Sequence, residues 1–450
     1  EDQSAPLYEG KNVTVTIYDS NYDIPVDKVL KSVDGIQSAE NAYEIGRTGN
    51  PIERVRDIIG AMRGHREAQI AATVDKESLR GTLNEIADTA LTEPVNPTWE
   101  LKDSNLIVHS GKPGVKFDTD AVEQALTDQI RLMDFEPYEV STDVTAAPAI
   151  DVDKIAADII GDPVNATVSK EDGKTIIAGK AGVSFDTDKA KEIIGDGSQE
   201  TYTIPVTITQ PSITAETLKA KLFHDTLART ATNRDEGNAP RTNNIRLAAK
   251  AINGTILNPG DEFSYNGTVG ERTAARGYQE AHAYSGGKII DEFGGGVCQP
   301  SSTLYMAVLR ADLKVTERHN HSFTVSYTPL GEDATVDYGN LDFRFVNNTA
   351  YPVKILAEQT DGQMIMTIVG TKTSDKTVTT RTEVLETYKP ETVTKTDSSM
   401  EAGESRVETS GITGYSTKTY KQITENGKTT EVLANSSTYS KRDEVVYVGE

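Results

Sequence analysis

Apolar residues at Val13, Val15 and Ile17 alternate with threonine, the period-two pattern of a strand with one buried face. Past Gly46-Arg47-Thr48-Gly49 the spacing lengthens to Ile52, Val55, Ile58 and Ile59, which predicts a helix. The pattern then repeats itself. Residues 111–126 read GKPGVKFDTDAVEQAL and residues 179–194 read GKAGVSFDTDKAKEII, with eight of sixteen positions identical. Upstream, EIADTALTEPVN at Glu85–Asn96 answers KIAADIIGDPVN at Lys154–Asn165. Each unit reads helix, Pro-Val-Asn, strand, turn, Gly-x-x-Gly-Val, Phe-Asp-Thr-Asp, helix, strand. Two tandem small α+β repeats follow, at 70–147 and 148–212. Residues 1–69 read as an α+β segment holding a partial third copy. Asp-Thr-Asp before an apolar-periodic run is helix N-cap sequence, with acids at the positive end of the dipole. A metal pair of Asp118 and Asp120 is the competing reading, and no EF-hand spacing stands behind it.

From Ser212 the pattern changes. It predicts a helix over Thr214–Thr230, a polar loop Asn233–Asn244, and helices Ile245–Ile252 and Ser301–Leu313. Short strands follow at Phe323–Tyr327, Ala334–Tyr338, Asp342–Val346, Val353–Glu358 and Met364–Val369. Helices followed by an antiparallel sheet give an α+β domain over 213–373. The remainder, 374–450, is rich in Thr, Val, Tyr and Lys and poor in large aliphatics. Alternation at Thr377–Val384 and Lys418–Ile423, with the hairpin signal Asn426-Gly427, predicts an extended all-β domain with little core.

Composition narrows the function classes. A chain of 450 residues is too long for one core, so the fold class is multi-domain α+β. Acids exceed bases by 69 to 46, a net charge of -23, which excludes general phosphate neutralisation. No nucleic-acid partner is therefore expected. The single cysteine, Cys298, excludes an intramolecular disulfide and a Cys-x-x-Cys zinc site. No cofactor is expected. No apolar run is long enough to span a bilayer. The expected membrane contact is at most an N-terminal anchor lost with a leader, since Glu1 is not an initiator Met.

Residues 241–355 resemble the VanW family through RTNNIRLAAKAINGTILNPGDEFSYN, VGERTAARGY, GGGVCQPSSTLY, ERHNHS and DATVDYGNLDFRFVNNTAYPVKI, in that order. Residues 70–212 resemble the tandem peptidoglycan-binding domains that precede VanW domains, and Gly46-Arg47-Thr48-Gly49-Asn50 fits their start. Residues 375–450 resemble the G-five domain, with TSGITGYSTKTY as the recognisable core. The resemblance implies a secreted protein of a Gram-positive cell wall or cell surface. It implies peptidoglycan or cell-wall glycan as partner, and a role in wall maintenance or glycopeptide tolerance.

The VanW-like region holds a second possibility. Cys298 follows three glycines and precedes Gln299-Pro300, which suits the start of a helix. A helix start lowers a thiol pKa. His321 comes downstream just before one predicted strand, and Asp337 within the next. Cysteine, histidine and acid in that order resemble the papain-superfamily arrangement, in which a thiolate attacks an amide and histidine acts as base. Asp333 and Asp342 compete with Asp337 for the third role. The resemblance favours His321 over His319, through its Glu-Arg-x-x-His-Ser pattern. Two other readings stand beside it: Cys298 as a small buried hydrophobe, and His319-x-His321 as metal ligands on one strand face. Arg272, Arg276, Gln299, Ser301, Ser302 and Tyr305 are the candidate substrate-binding residues, arginine because its fork suits a peptide carboxylate. The primary expectation is a peptidoglycan-binding factor. The alternative is a cysteine amidase, peptidase or transpeptidase acting on stem peptides.

Overall fold

The computed structural model describes residues 5–66, 68–285, 288–360 and 362–450. The chain divides into two compact units, residues 1–162 with 183–208, and residues 163–182 with 209–450. Both are α+β.

In the first unit, the alternation at Val13, Val15 and Ile17 forms the strand Asn12–Ile17. It pairs antiparallel with Ser20–Pro25 and parallel with Tyr138–Glu139. Its buried face packs on Leu79, Leu83, Leu126 and Ile130. These come from the helices Lys76–Ala90 and Thr119–Leu132. The Asp-Thr-Asp sequences are helix starts. Asp118 accepts from the backbone N–H of Asp120 and Ala121, and Asp186 from those of Asp188 and Lys189.

Backbone pairings run in the same order through the two repeat sequences. Thr92↔Val115 and Val95↔Lys112 in the first answer Gly161↔Val183 and Val164↔Lys180 in the second. The hairpin Thr98–Lys102/Asn105–His109 lengthens into a three-stranded sheet with Thr201–Pro205. Leu106, Val108, Tyr202 and Ile204 thereby share one core. The helix Pro51–Met62 forms as its spacing predicts, closed by an Asn50/Glu53 capping box. Its apolar side chains Ile52 and Met62 nonetheless stay more than 80 % exposed.

The second unit centres on a four-stranded antiparallel sheet in the order Asp225–Asn233, Gln363–Gly370, Val353–Thr360, Ile256–Leu257. The helix predicted at Thr214–Thr230 stops early. It runs only Ala215–Lys221, and the chain turns at Phe223 (φ 52°) into the strand Asp225–Asn233. The reason lies in alternation: Ala228, Thr230 and Thr232 are buried and their neighbours are not, and β-branched threonine suits a pleated surface. The predicted loop is shorter too, because Asn238 caps a helix Ala239–Ile252. The helix Cys298–Arg310 packs on the sheet, buried at every position from Gln299 to Leu309. Phe323–Tyr327 is not a strand, and Ala334–Tyr338 makes isolated bridges only.

The tail forms two three-stranded sheets. One joins Thr377–Tyr388, Gly414–Glu425 and Lys428–Tyr439, and the other joins Thr392–Asp397, Glu444–Gly449 and Ser405–Thr409. The Asn426-Gly427 turn has φ of 50° and 74°, the left-handed pair that a two-residue hairpin requires. The tail has little core of its own. Its fully buried side chains are Thr417, Thr419, Ser437 and Tyr439, and polar groups of that kind need partners. Ser437 and Tyr439 find them on the 318–334 segment of the same unit, and Thr417 and Thr419 on the Ser437 carbonyl and the Thr382 hydroxyl within the tail. The seam is close at Gly331 (φ 77°), where a Cβ would collide with Thr419 Oγ1. Gly331→Val is expected to destabilise the fold by on the order of 3 kcal/mol, through backbone strain and overpacking together. Chemical denaturation checks this, and a loss under ~0.5 kcal/mol would show that the seam does not form.

Candidate active site

The three glycines 294–296 bring the chain into the helix Cys298–Arg310 through a turn that larger residues do not fit. A Cβ at Gly295 would collide with the Ala281 carbonyl, and at Gly296 (φ 105°) it would lie 2.7 Å from Arg241 Cγ. Cys298 is the first residue of this helix, two positions earlier than the Pro300 start expected. First-turn N–H groups have no intrahelical partner and carry the positive end of the dipole. Cys298 is half-buried, with Sγ 3.5 Å from Thr335 Oγ1 and 3.5 Å from the Val336 carbonyl.

The His321 ring lies close enough to Cys298 to act on its thiol. On its other side, ring atom Nδ1 lies 2.7 Å from Asp333 Oδ2, and the His321 backbone N–H donates to the same oxygen at 2.7 Å. Tyr327 closes the pocket, its hydroxyl 3.4 Å from His321 Nε2. The carboxylate that meets His321 is thus Asp333, not Asp337. Register explains the correction. His319 bridges antiparallel to Thr335, so His321 faces Asp333, and Asp337 falls opposite Glu317. Asp337 is exposed and accepts from Asn340 Nδ2 at 2.7 Å. Asp342 is engaged with Ser264 and Asn266. His319 lies 3.2 Å from Glu317 and lines a polar cavity of about 400 Å³ with Asn320, Asn435 and Ser436, away from the thiol.

Charge follows this geometry. Burial alone would raise the Cys298 thiol, but the hydrogen bond and charge of His321 outweigh it and bring the thiol down to about 7. Burial alone would lower His321, but hydrogen bonds to Asp333 and Cys298 raise it to about 9. Burial would likewise raise Asp333, yet His321 and Arg318 hold it at about 2. Between pH 7 and 9 the pair is therefore thiolate and imidazolium, the reactive state of a cysteine nucleophile.

The candidate binding residues divide. Gln299, Ser301, Ser302 and Tyr305 are buried inside the helix packing, and Tyr305 also lines the cavity beside His319. Gln299 donates to Thr232 and the Asn233 carbonyl, and Ser302 bridges the carbonyls of Cys298 and Ala334. The helix is buried from Gln299 to Leu309, and Ser301 Oγ is left without a hydrogen-bond partner among the described residues. Arg276 is committed to the carbonyls of Glu271 and Val269. Arg272 differs. Its three guanidinium nitrogens are buried with no hydrogen-bond partner among the described residues. It stands over the rings of Tyr265 and Tyr338, 5.7 and 5.8 Å from their centroids. Arg241, beside Gly296 and Tyr327, has no ion pair among the described residues either. Sequence reasoning passed over Arg241, Arg318 and Tyr327. Arg241 and Arg318 lie inside the quoted motifs, which was the available signal.

Three family models match: VanW like protein over residues 240–369, Putative peptidoglycan binding domain over 22–139, and G5 domain over 377–450. The chain is 35% identical over 212 residues to Uncharacterized protein YoaR of Bacillus subtilis (strain 168), covering 46% of this chain and 69% of that one. It is 29% identical over 134 residues to Vancomycin B-type resistance protein VanW of Enterococcus faecalis (strain ATCC 700802 / V583), covering 29% of this chain and 49% of that protein. It thus spans about half the length of the second relative. Two solved structures are similar to 17% of this chain: the crystal structure of HP0197-G5 (19% identity, all of that chain, TM-score 0.12) and the IgA1 protease G5 domain (15% identity, 95% of that chain, TM-score 0.14). The peptidoglycan-binding and G5 matches mark a cell-wall-associated protein. The chain belongs to the VanW family, as a YoaR-like member that carries a G5 domain over residues 377–450.

Proposed function

We propose that this chain is a secreted cell-envelope protein of a Gram-positive bacterium that uses Cys298 for acyl transfer on peptidoglycan stem peptides. The series Cys298, His321, Asp333, with Asp333 hydrogen-bonded to the ring that acts on the thiol, carries the reading. The Cys298 thiolate attacks an amide carbonyl carbon, and the charge moves to the carbonyl oxygen. The C–N bond then breaks, His321 gives its proton to the leaving amine, and a thioester remains on Cys298. Water or the amine of a second stem attacks that thioester, His321 takes the incoming proton, and Cys298 leaves as thiolate. Water makes the reaction a hydrolysis, an amine a transpeptidation.

Arg272 and Arg241 support an anionic acyl donor. Arg272 over the Tyr265 ring and Arg241 beside Gly296, neither with an ion pair among the described residues, fit a carboxylate brought by the substrate to a chain of net charge -23. Two peptidoglycan-binding repeats at 70–147 and 148–212 would hold the wall, and their shared pairing order supports them. Superposing residues 85–140 on 154–206 checks that division. Incubation with purified muropeptides, followed by intact mass measurement, tests the chemistry. An acyl adduct is expected on the wild-type chain and none on Cys298→Ala. Binding without adduct or turnover in both would leave a wall-binding factor and sink the enzyme reading.

A further inference from the structure

Asp333 has two carboxylate oxygens with different clients. Oδ2 faces His321 through both backbone N–H and ring. Oδ1 receives Arg318 Nη2 at 2.9 Å and the Tyr439 hydroxyl at 2.5 Å. Tyr439 ends the strand Lys428–Tyr439 of the G5 region, 106 residues further along the chain. It is 1% exposed, and its oxygen also accepts from the Gly331 backbone N–H at 2.8 Å. The same strand steadies Arg318. Ser437 Oγ accepts from Arg318 Nη1 at 2.8 Å and donates to Asn435 Oδ1 at 2.9 Å. Backbone links pin the strand there: Ser440 N–H to the Ser322 carbonyl at 2.7 Å, and Asn320 Nδ2 to the Thr438 carbonyl at 2.8 Å.

From this geometry we infer that Tyr439 is a positioning residue for Asp333, so that the G5 domain completes the reaction centre of the VanW domain. The inference rests on the nucleophile reading above. A base that must hold one tautomer depends on the group behind it, and that group depends on its own donors. One of the two donors on Oδ1 comes from the G5 strand, and the other, Arg318, is braced by it. Other titratable groups around Asp333 are Tyr305, Tyr327, the Cys298–His321 pair and Glu332, which is paired with Arg310. None of them donates to Oδ1 among the described residues. Burial, then the charge of Asp333, push the Tyr439 phenol well above its ordinary value, so it remains a donor across the working pH range. Displacing the ribbon removes a support of the acid, and ribbon docking and thiol reactivity are therefore coupled.

The test uses the full chain and the pH profile of Cys298 alkylation by iodoacetamide. Tyr439→Phe keeps the buried ring and deletes only the hydroxyl. Its profile is expected to move upward by about half a pH unit or more, with the rate at pH 7 reduced about threefold. Ser437→Ala, which removes only the brace on Arg318, should move it less in the same direction. Tyr388→Phe, which deletes a hydroxyl that donates to Glu386 on the exposed ribbon, should leave it unchanged. If Tyr439→Phe lowers the melting temperature strongly, the Ser437→Ala shift decides. A low-pH wild-type profile that both variants reproduce overturns the inference alone. A wild-type profile of an ordinary thiol overturns the nucleophile reading, and this inference with it.

Discussion

His321→Ala is expected to abolish any turnover of stem peptides, by about 10³-fold or more, and to slow alkylation of Cys298 at pH 7 by about tenfold. The two effects have one cause. Burial opposes the Cys298 thiolate, and His321 is the group that overcomes it. With the imidazole gone the burial penalty remains, so the thiol returns to its ordinary value of about 8.5 or above. At pH 7 an unperturbed thiol is a few per cent ionised, against about half in the wild type. The lower intrinsic nucleophilicity of a low-pKa thiolate trims the difference to about tenfold. Turnover suffers more because His321 also gives a proton to the leaving amine. Alkylation needs no such proton, so the two measurements separate the roles. Equal loss in both would mean that His321 only tunes the thiol. An unchanged alkylation profile would remove His321 from the site.

How far the site was legible in the sequence depends on the distance between its parts. Cys298 and His321 were readable, because each sits in a short motif whose residue types match a chemistry. The helix starts at Asp118 and Asp186 were readable too, since a cap is a local hydrogen bond. Asp333 was not separable from Asp337. Both lie on one face of an extended segment, and only the His319–Thr335 bridge, which pairs residues 16 apart, chooses between them. Ser301, Ser302 and Tyr305 misled for the converse reason. Polar side chains on a short helix look like a ligand face until the surrounding sheet and ribbon cover them. Thr214–Thr230 failed because alternating Thr and Ala on a sheet outweighs a local helix pattern. Tyr439 carried no local signal, since its role exists only after the tail folds back on residues 318–334.

Asp333 should carry the largest single contribution to stability at this site. Its side chain is 1% exposed and accepts from His321, Arg318 and Tyr439. Asp333→Ala leaves the Arg318 guanidinium and the His321 ring without their anion, and removal of one partner from a buried pair costs about 3–5 kcal/mol. The pH dependence has a definite sign. Asp333 sits at about 2 in the folded protein, below the ordinary ~3.9 of an unfolded aspartate. The unfolded chain therefore binds the proton first. The stabilisation is complete above about pH 4 and disappears as pH falls toward 2. His321 behaves in the opposite sense: raised to about 9, it contributes fully below about pH 6.5 and loses its contribution as pH rises through 9. Above about pH 6.5 the lowered Cys298 thiol, at about 7, gains what His321 loses, so denaturation across about pH 2–8 should show a plateau with an acid limb only in the wild type. Asp333→Asn keeps the shape without the charge, so it should lower the plateau and flatten the acid limb. An Asp333→Asn curve parallel to wild type between pH 4 and 2 would mean that this carboxylate is not ionised against His321 and Arg318, and the charge arrangement behind the nucleophile would fail with it.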